Sequence, residues 1–239
     1  MKTLKKVVIA PDSFKESLSA LEVANAIECG FSQIFPQVRY IKLPMADGGE
    51  GTVESMVAAT DGEIIELEVT GPLGRPVKAF YGLRGDGETA VIEMAAASGL
   101  HLVPNGQRDP RITTSYGIGE LMLAALAHGV KAMILGMGGS ATNDGGAGMI
   151  QALGARLLDA QRQPLPPGGP ALAQLAHIDL VGLDPRLRQL SITAACDVDN
   201  PLCGEKGTTP QMVAQLDAAL RHYGELMEQV TGCGQALRS

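Results

Sequence analysis

The sequence contains no tryptophan, and aromatic residues make up only 3% of its 239 positions. A buried core must therefore be built mainly from Ala, Val, Ile, Leu and Met. No stretch approaches the roughly 20 consecutive apolar residues that span a bilayer, so we expect no membrane association. Basic residues are not in excess, since the formal net charge is −7, and this excludes the footprint of a nucleic-acid-binding protein. The segment Met1 to Lys6 has no apolar stretch typical of an export signal, which predicts a cytoplasmic location.

None of the cysteines forms a CxxC pair, and this spacing favours reduced thiols over a disulfide or a metal site. The four cysteines are Cys29, Cys196, Cys203 and Cys233. The four histidines are scattered and match no ligand spacing, so they receive no role. Glycine, in contrast, is abundant: the 30 glycines fall in clusters, which indicates functional turns rather than disorder.

Apolar periodicity predicts an α/β protein that begins with a strand–helix–strand–helix unit, assigned to residues 1–62. The first helix begins at a capping box formed by Ser19 and Glu22. Three β-rich runs separated by Gly/Pro turns follow and predict an antiparallel meander, which opens a second α/β domain at residues 63–239. Helices and strands then alternate. The Pro/Gly-rich segment 163–170 is either a linker or a surface loop.

Four loops that follow predicted strands or precede predicted helices are rich in small and acidic residues. In open α/β sheets, ligands bind outside the carboxyl ends of the strands, so such loops are candidates for a site. They span residues 11–17, 47–52, 136–148 and 196–204.

The first two loops offer charged side chains next to helix starts. Lys15 would neutralise a carboxylate or phosphate held at a helix N-terminus, and the alternative is a solvated lysine beside an ordinary cap. Asp47 and Glu50 flank two glycines, and their oxygens are ligands that suit Mg²⁺. The alternative for that loop is a tight turn with an acidic first helical turn, which the helix dipole also favours.

The third loop, residues 136–148, has neither a Walker ending nor dinucleotide spacing. Its many glycines, each costly in conformational entropy, favour a phosphate cradle made of backbone N–H groups. The fourth loop presents Asp197, Asp199 and Asn200 and is either an acidic site or a plain turn. Residues 113–117 would add hydroxyl and amide donors, or would simply cap the next helix.

Seven sequence strings in and between these loops together resemble the bacterial glycerate kinase family of glyoxylate and glucarate catabolism. The resemblance runs from about Lys6 to Gly204. The resemblance implies ATP- and Mg²⁺-dependent phosphorylation of D-glycerate to 2-phosphoglycerate. It also implies a flavodoxin-like parallel-sheet domain with a second α/β domain inserted in it and the active site between them. The strings that carry it are APDSFKESLSA, ADGGEGT, VTGPLG, IEMAAASGL, TTSYG, GGSATNDGGAG and CDVDNPLCG.

The sequence also departs from the family pattern. Family members carry a further glycine-rich stretch between the positions that match Gly204 and Gly207, and they continue into a long C-terminal α/β portion. Here the two glycines are joined through Glu205 and Lys206, and the sequence ends at Ser239. We therefore expect the flavodoxin-like part to be incomplete in this sequence.

From the residues and the resemblance together we assign roles as hypotheses. Lys15 and the helix start at Ser17 would hold anionic groups, Asp197 would accept the proton of the substrate hydroxyl, and Asp47 with Glu50 would organise Mg²⁺. The catalytic residues would be Lys15, Asp47 and Asp197. Substrate contacts are assigned to Ser13, Ser17, Thr114, Ser115, Asn143 and Asn200. Nucleotide contacts are assigned to Gly138, Gly139, Ser140, Asp144 and Gly145.

Two other functions fit the same loops. A Mg²⁺-dependent phosphatase or mutase acting on a small phosphorylated acid would have similar acidic loops. A catalytically impaired fragment would act only as a ligand-binding domain. The expected partners are D-glycerate, ATP and Mg²⁺, without nucleic acid or membrane, and the oligomeric state is left open between monomer and homodimer.

Overall fold

The computed structural model describes residues 4–14, 17–46, 48–49, 51–196, 198, 201–204 and 214–232. The strands are β1 Lys6–Ile9, β2 Arg39–Lys42, β3 Glu63–Thr70, β4 Pro76–Leu83, β5 Thr89–Glu93, β6 Ala132–Gly136, β7 Arg156–Leu158, β8 His177–Asp179 and β9 Ser191–Ala195. The helices are α1 Ala20–Ile34, α2 Thr52–Ala59, α3 Met94–Ser98, α4 Tyr116–Ala127, α5 Ala147–Ala152 and α6 Ala214–Thr231.

The central sheet has five strands in the order β3-β4-β5-β6-β9. Strands β3, β4 and β5 are antiparallel, so the predicted meander is confirmed, whereas β5, β6 and β9 run parallel. A separate parallel pair, β1 and β2, forms with α1 the strand–helix–strand unit that the sequence predicts. The predicted α/β class is therefore confirmed.

Both faces of the central sheet are covered by helices at β5. Ala90 and Ile92 face one cluster with α4, while Val91 packs on the opposite face against Val53 and Val57 of α2. All five residues of β5 are buried for this reason. Helix α2 lies in the predicted domain 1–62 but packs on the central sheet, whose strands all lie in the predicted domain 63–239. The boundary at residue 62 stays a prediction.

Helix α1 begins at the predicted capping box, because Ser19 Oγ accepts from the Glu22 N–H and the Glu22 carboxylate accepts from the Ser19 N–H at 2.8 Å. Its apolar stripe is nevertheless largely exposed: Phe31 is 46% and Ile34 74% accessible. A two-stranded sheet is too narrow to cover the whole helix face, so only Ala20, Val23 and Ala24 are buried.

The Pro/Gly-rich segment 163–170 is a packed loop rather than a linker. Leu165 and Gly169 are buried: Leu165 joins a second cluster with Leu216, Leu220 and Tyr223 of α6, and a Cβ on Gly169 would clash with Leu216 Cδ1. Among the residues the structure describes, no helix is both long enough and apolar enough to cross a membrane.

Helices α4 and α5 cross so closely that side-chain atoms are excluded at the contact. A Cβ on Gly119 of α4 would clash with the Met149 carbonyl oxygen and would lie 2.6 Å from Ala152 Cβ. A methyl group at this position can be accommodated only if the two helices separate.

Gly119→Ala is expected to lower the free energy of unfolding by about 1–3 kcal/mol, because it overpacks this helix contact. Gly30→Ala in α1 is the matched control, since no atom lies within 4 Å of its added Cβ. That change is expected to stabilise by up to about 1 kcal/mol through helix propensity. Urea denaturation measures both, and equal effects of the two changes would contradict the close crossing.

Candidate active site

The carboxyl ends of the three parallel strands lie side by side. Glu93 of β5 is the register partner of Gly136 of β6, and Gly136 is the partner of Ala195 of β9. Parallel strands are about 4.8 Å apart, so these three residues form a row roughly 10 Å long. In an open α/β sheet this edge is where ligands bind.

The second predicted loop crosses this row with its main chain in direct contact. Gly138 N–H donates to the Gly48 carbonyl at 3.1 Å, and Met137 N–H donates to the Ala195 carbonyl at 3.0 Å. A Cβ on Gly48 would lie 2.6 Å from the Ala195 oxygen, and one on Gly136 would lie 2.5 Å from the Gly48 oxygen. Glycine is required because the backbones touch. The structure therefore brings the second and third predicted loops together at the end of β9, the strand that precedes the fourth predicted loop.

Several predicted residues lie outside the part of the chain that the structure describes. They are Lys15, Asp47, Glu50, Asp197 and Asn200. All three residues predicted as catalytic are among them, so their roles stay predictions. Among the described residues, no three His, Cys, Asp or Glu side chains come together in a way that would hold a metal ion.

Asp144 organises the glycine-rich loop from within. Its carboxylate is 2% exposed and accepts from the Ser115 N–H and hydroxyl at 2.9 Å each, and from the N–H groups of Gly148 and Gly146 at 3.1 Å. Ser115 Oγ in turn accepts from the Met149 N–H at 3.0 Å. The carboxylate thus ties residues 144–149 to the start of α4, and its charge stays buried only because it is fully bonded.

Tyr223 of α6 packs on the same turn. A Cβ on Gly145 would be 3.2 Å from the Tyr223 ring. Burial raises the pKa of the Tyr223 hydroxyl, and the charge of Asp144 raises this pKa further. The phenol is therefore neutral at physiological pH and serves as a packing partner of the loop.

The N-terminal half of the loop is fixed by neighbouring backbone. Ala141 N–H donates to the Ser98 carbonyl at 2.8 Å, and Leu100 N–H donates to the Gly139 carbonyl at 3.0 Å. The Ser140 and Thr142 hydroxyls are 2.7 Å apart. With both ends held, the N–H groups of Gly139, Asn143 and Gly145 still have no acceptor among the described residues.

The predicted residues of the segment 113–117 lie behind this loop and not on an open surface. Thr114 and Ser115 are 3% and 0% exposed. Thr114 Oγ1 accepts from the Tyr116 N–H at 3.2 Å, and Ser115 is engaged with Asp144. The Ser115 side chain therefore holds the glycine-rich loop, whereas Thr114 Oγ1 bonds within its own segment.

A cavity of about 1050 Å³ separates the β1–α1–β2 unit from the central sheet. Ser13 and Ser17, two predicted substrate residues, line one wall together with Lys42. The opposite wall includes Lys78 of β4 and Glu93 of β5. Lys42 pairs with Glu28 at 2.7 Å, whereas Lys78 makes no ion pair with any described residue.

Sequence reasoning missed Lys78 and Glu93 as residues of this cavity. A signal for Glu93 exists, since it is a carboxylate that ends an otherwise apolar run, Thr89 to Ile92, and such a charge needs a buried partner. No local pattern marks Lys78, because its position depends on which strand of the meander faces the cavity.

Asp144→Ala is expected to lower the free energy of unfolding by about 3 kcal/mol or more, because it leaves several buried donors without an acceptor. Asp144→Asn, which keeps one acceptor oxygen, is expected to cost less. Asp86→Ala is the control: Asp86 also accepts turn N–H groups, from Glu88 and Thr89 at 2.9 Å, but it is exposed. A loss at Asp144 no larger than the loss at Asp86 in urea denaturation would refute the organising role.

Comparison with known proteins agrees with this arrangement of loops. The model of the glycerate kinase family matches residues 7–238. A glycerate kinase of Haemophilus influenzae is 62% identical over 98% of this chain, and a glycerate 2-kinase of Escherichia coli is 56% identical over 94%. The crystal structure of a protein assigned as glycerate kinase 2 from Salmonella typhimurium LT2 is similar with a TM-score of 0.81 and 58% identity, over 98% of this chain and 65% of that one.

The chain spans only part of the length of these relatives: 64% of the Haemophilus influenzae protein and 61% of the Escherichia coli protein. The family match over residues 7–238 includes every loop of the candidate site. On the family match over residues 7–238, the chain belongs to the glycerate kinase family.

Proposed function

We propose that this chain carries the phosphoryl-transfer site of an ATP-dependent kinase that converts D-glycerate to 2-phosphoglycerate. The observation that carries the proposal is the meeting of two glycine-rich loops at the carboxyl ends of β6 and β9, through contacts at Gly48, Gly138 and Ala195. Relatives that are 56–62% identical are themselves glycerate kinases by name.

The adjoining cavity supports the proposal by its size and its lining. Its volume of about 1050 Å³ is slightly above the usual range for ligand sites, roughly 300–1,000 Å³, and suits two ligands side by side. Serine hydroxyls at Ser13 and Ser17 offer hydrogen bonds to a hydroxy acid.

The glycine-rich loop is the proposed phosphate cradle. Phosphoryl transfer depends on positioning and charge stabilisation more than on covalent chemistry. Donors that are fixed before the ligand arrives suit this task, since they need not reorganise during the reaction. The N–H groups of Gly139, Asn143 and Gly145 meet that description, because Asp144 and Ser98 hold the loop from both sides.

Glycerate and ATP are anions, and the protein carries a net charge of −7, so the cavity must supply cations. Lys42 is neutralised by Glu28. Lys78 also lines the cavity and makes no ion pair with any described residue. We propose Lys15 as the second cation. These two ammonium groups would hold the carboxylate of glycerate and the phosphates of the nucleotide.

The acidic residues of the same loops would complete the site. Asp47 and Glu50 offer hard carboxylate oxygens of the kind that Mg²⁺ prefers, and when bound the ion would neutralise phosphate charge. Asp197 would accept the proton of the substrate hydroxyl as it attacks. Thr114, Ser115 and Asp144 would act through the shape of the loop and not by touching the ligands. A cytoplasmic location belongs to the same proposal.

The function is tested by adding D-glycerate, ATP and Mg²⁺ to the purified chain and measuring glycerate-dependent ADP release and 2-phosphoglycerate. Turnover is expected, with no phosphate release from 2-phosphoglycerate alone. Thermal stabilisation by ligands without turnover would instead support a ligand-binding domain, and hydrolysis of the phosphorylated acid would support the phosphatase alternative.

Asp197→Asn is expected to lower kcat by about 100-fold or more, since general-base catalysis contributes about 10²–10⁴-fold. Asp199→Asn in the same loop removes the same charge and is the control, with kcat expected near that of the unchanged chain. Steady-state kinetics with D-glycerate and ATP measure both. Near-normal kcat in Asp197→Asn would remove Asp197 from the base role.

A further inference from the structure

The segment from Gly48 to Val53 crosses the row of strand ends from one side to the other. Gly48 lies on Ala195 of β9 and Gly136 of β6. At the far end, the Val53 N–H donates to the Glu93 carboxylate of β5 at 2.7 Å. Gly48 and Val53 are therefore both attached to the same edge of the sheet.

The contact at Glu93 replaces a missing helix cap. Helix α2 begins after Gly51, which has a left-handed φ of 92° and no side chain to accept from the first turn. The first N–H groups of a helix need acceptors from elsewhere. The Glu93 carboxylate supplies one from a different strand, 40 residues away in sequence.

Glu93 is a buried charged residue, and burying its carboxylate costs free energy. The carboxylate is 2% exposed at the end of a strand whose other four residues are buried and uncharged. A buried carboxylate is tolerated only where its bonds are satisfied, so an apolar residue would serve packing alone better. The hydrogen bond from the Val53 N–H of α2 accounts for the presence of a carboxylate at this position.

We propose that Glu93 is a positioning residue, which sets the place of the loop before α2 over the strand ends and thereby the geometry of the ligands in the cavity. The inference rests on the proposed kinase function for its catalytic consequence. The hydrogen bond and the burial support it independently of that function. A misplacement of about 1 Å in such a site costs on the order of 100-fold in rate, which is the scale of effect at stake.

The test compares Glu93→Gln, which keeps an acceptor oxygen for the Val53 N–H, with Glu93→Leu, which fills the space without an acceptor. Glu66→Leu is the matched control, because Glu66 is an exposed residue of strand β3 and the change removes the same charge from the same sheet. Amide hydrogen exchange of α2 and α1 by NMR reports the position of the loop directly and needs no activity.

Glu93→Leu is expected to speed exchange of the Val53 amide while α1 keeps its protection, and to lower kcat by about 10–100-fold, the usual effect of losing a supporting contact. Glu93→Gln is expected to restore most of both. Unchanged exchange at Val53 in Glu93→Leu would overturn the inference, whatever the activity.

The kinetic result separates a positioning role from a direct one. Equal loss of kcat in Glu93→Gln and Glu93→Leu would overturn the positioning role, since it would show that the charge itself acts on the ligands. If the unchanged chain shows no glycerate-dependent ADP release, the proposed function fails, while the exchange measurement still decides the role of Glu93.

Discussion

The main chain of the loop at Gly48 lies in direct contact with the ends of β6 and β9, and the rest of the candidate site depends on this close approach. Side chains cannot intervene, because a Cβ on Gly48, Gly136 or Gly138 would lie within 2.8 Å of facing backbone atoms. The glycines of these two loops are therefore required for one reason. These glycines allow loops that follow different strands to share one surface. The acidic residues of each loop lie next to its glycines in sequence.

The glycine-rich loop after β6 is rigid for a different reason, which is a single buried carboxylate. Asp144 accepts hydrogen bonds from both the start of α4 and the start of α5. A loop with so many glycines would lose much conformational entropy on ordering. The bonds of Asp144 offset that loss, while the N–H groups of Gly139, Asn143 and Gly145 have no acceptor among the described residues. Ser115, which the sequence assigns as a substrate contact, is bonded to Asp144 and Met149 of this loop.

Several features of the fold were predictable from the sequence, because they depend on residues that are close together in the chain. The capping box of Ser19 and Glu22 and the antiparallel meander are local features, and the structure has them where the sequence predicts them. Other features were not predictable, since they depend on what packs against an element. The apolar stripe of α1 predicts a buried face, yet Ile34 is 74% exposed because the two-stranded sheet beside it is too narrow. Lys78 and Glu93 belong to the cavity only through the order of the strands.

The sequence by itself determined the family, the α/β class and the loops that bear glycine and acidic residues, because these follow from residue types at fixed short spacings. The tertiary structure decided which loops meet and which of their side chains form the hydrogen bonds that hold these loops. It placed Asp144 and Ser115 inside the protein, Ser13 and Ser17 on a cavity wall, and Glu93 at the start of α2. The physical reason is that burial and hydrogen bonding between residues about 30–40 positions apart depend on strand order and register, which no local spacing encodes.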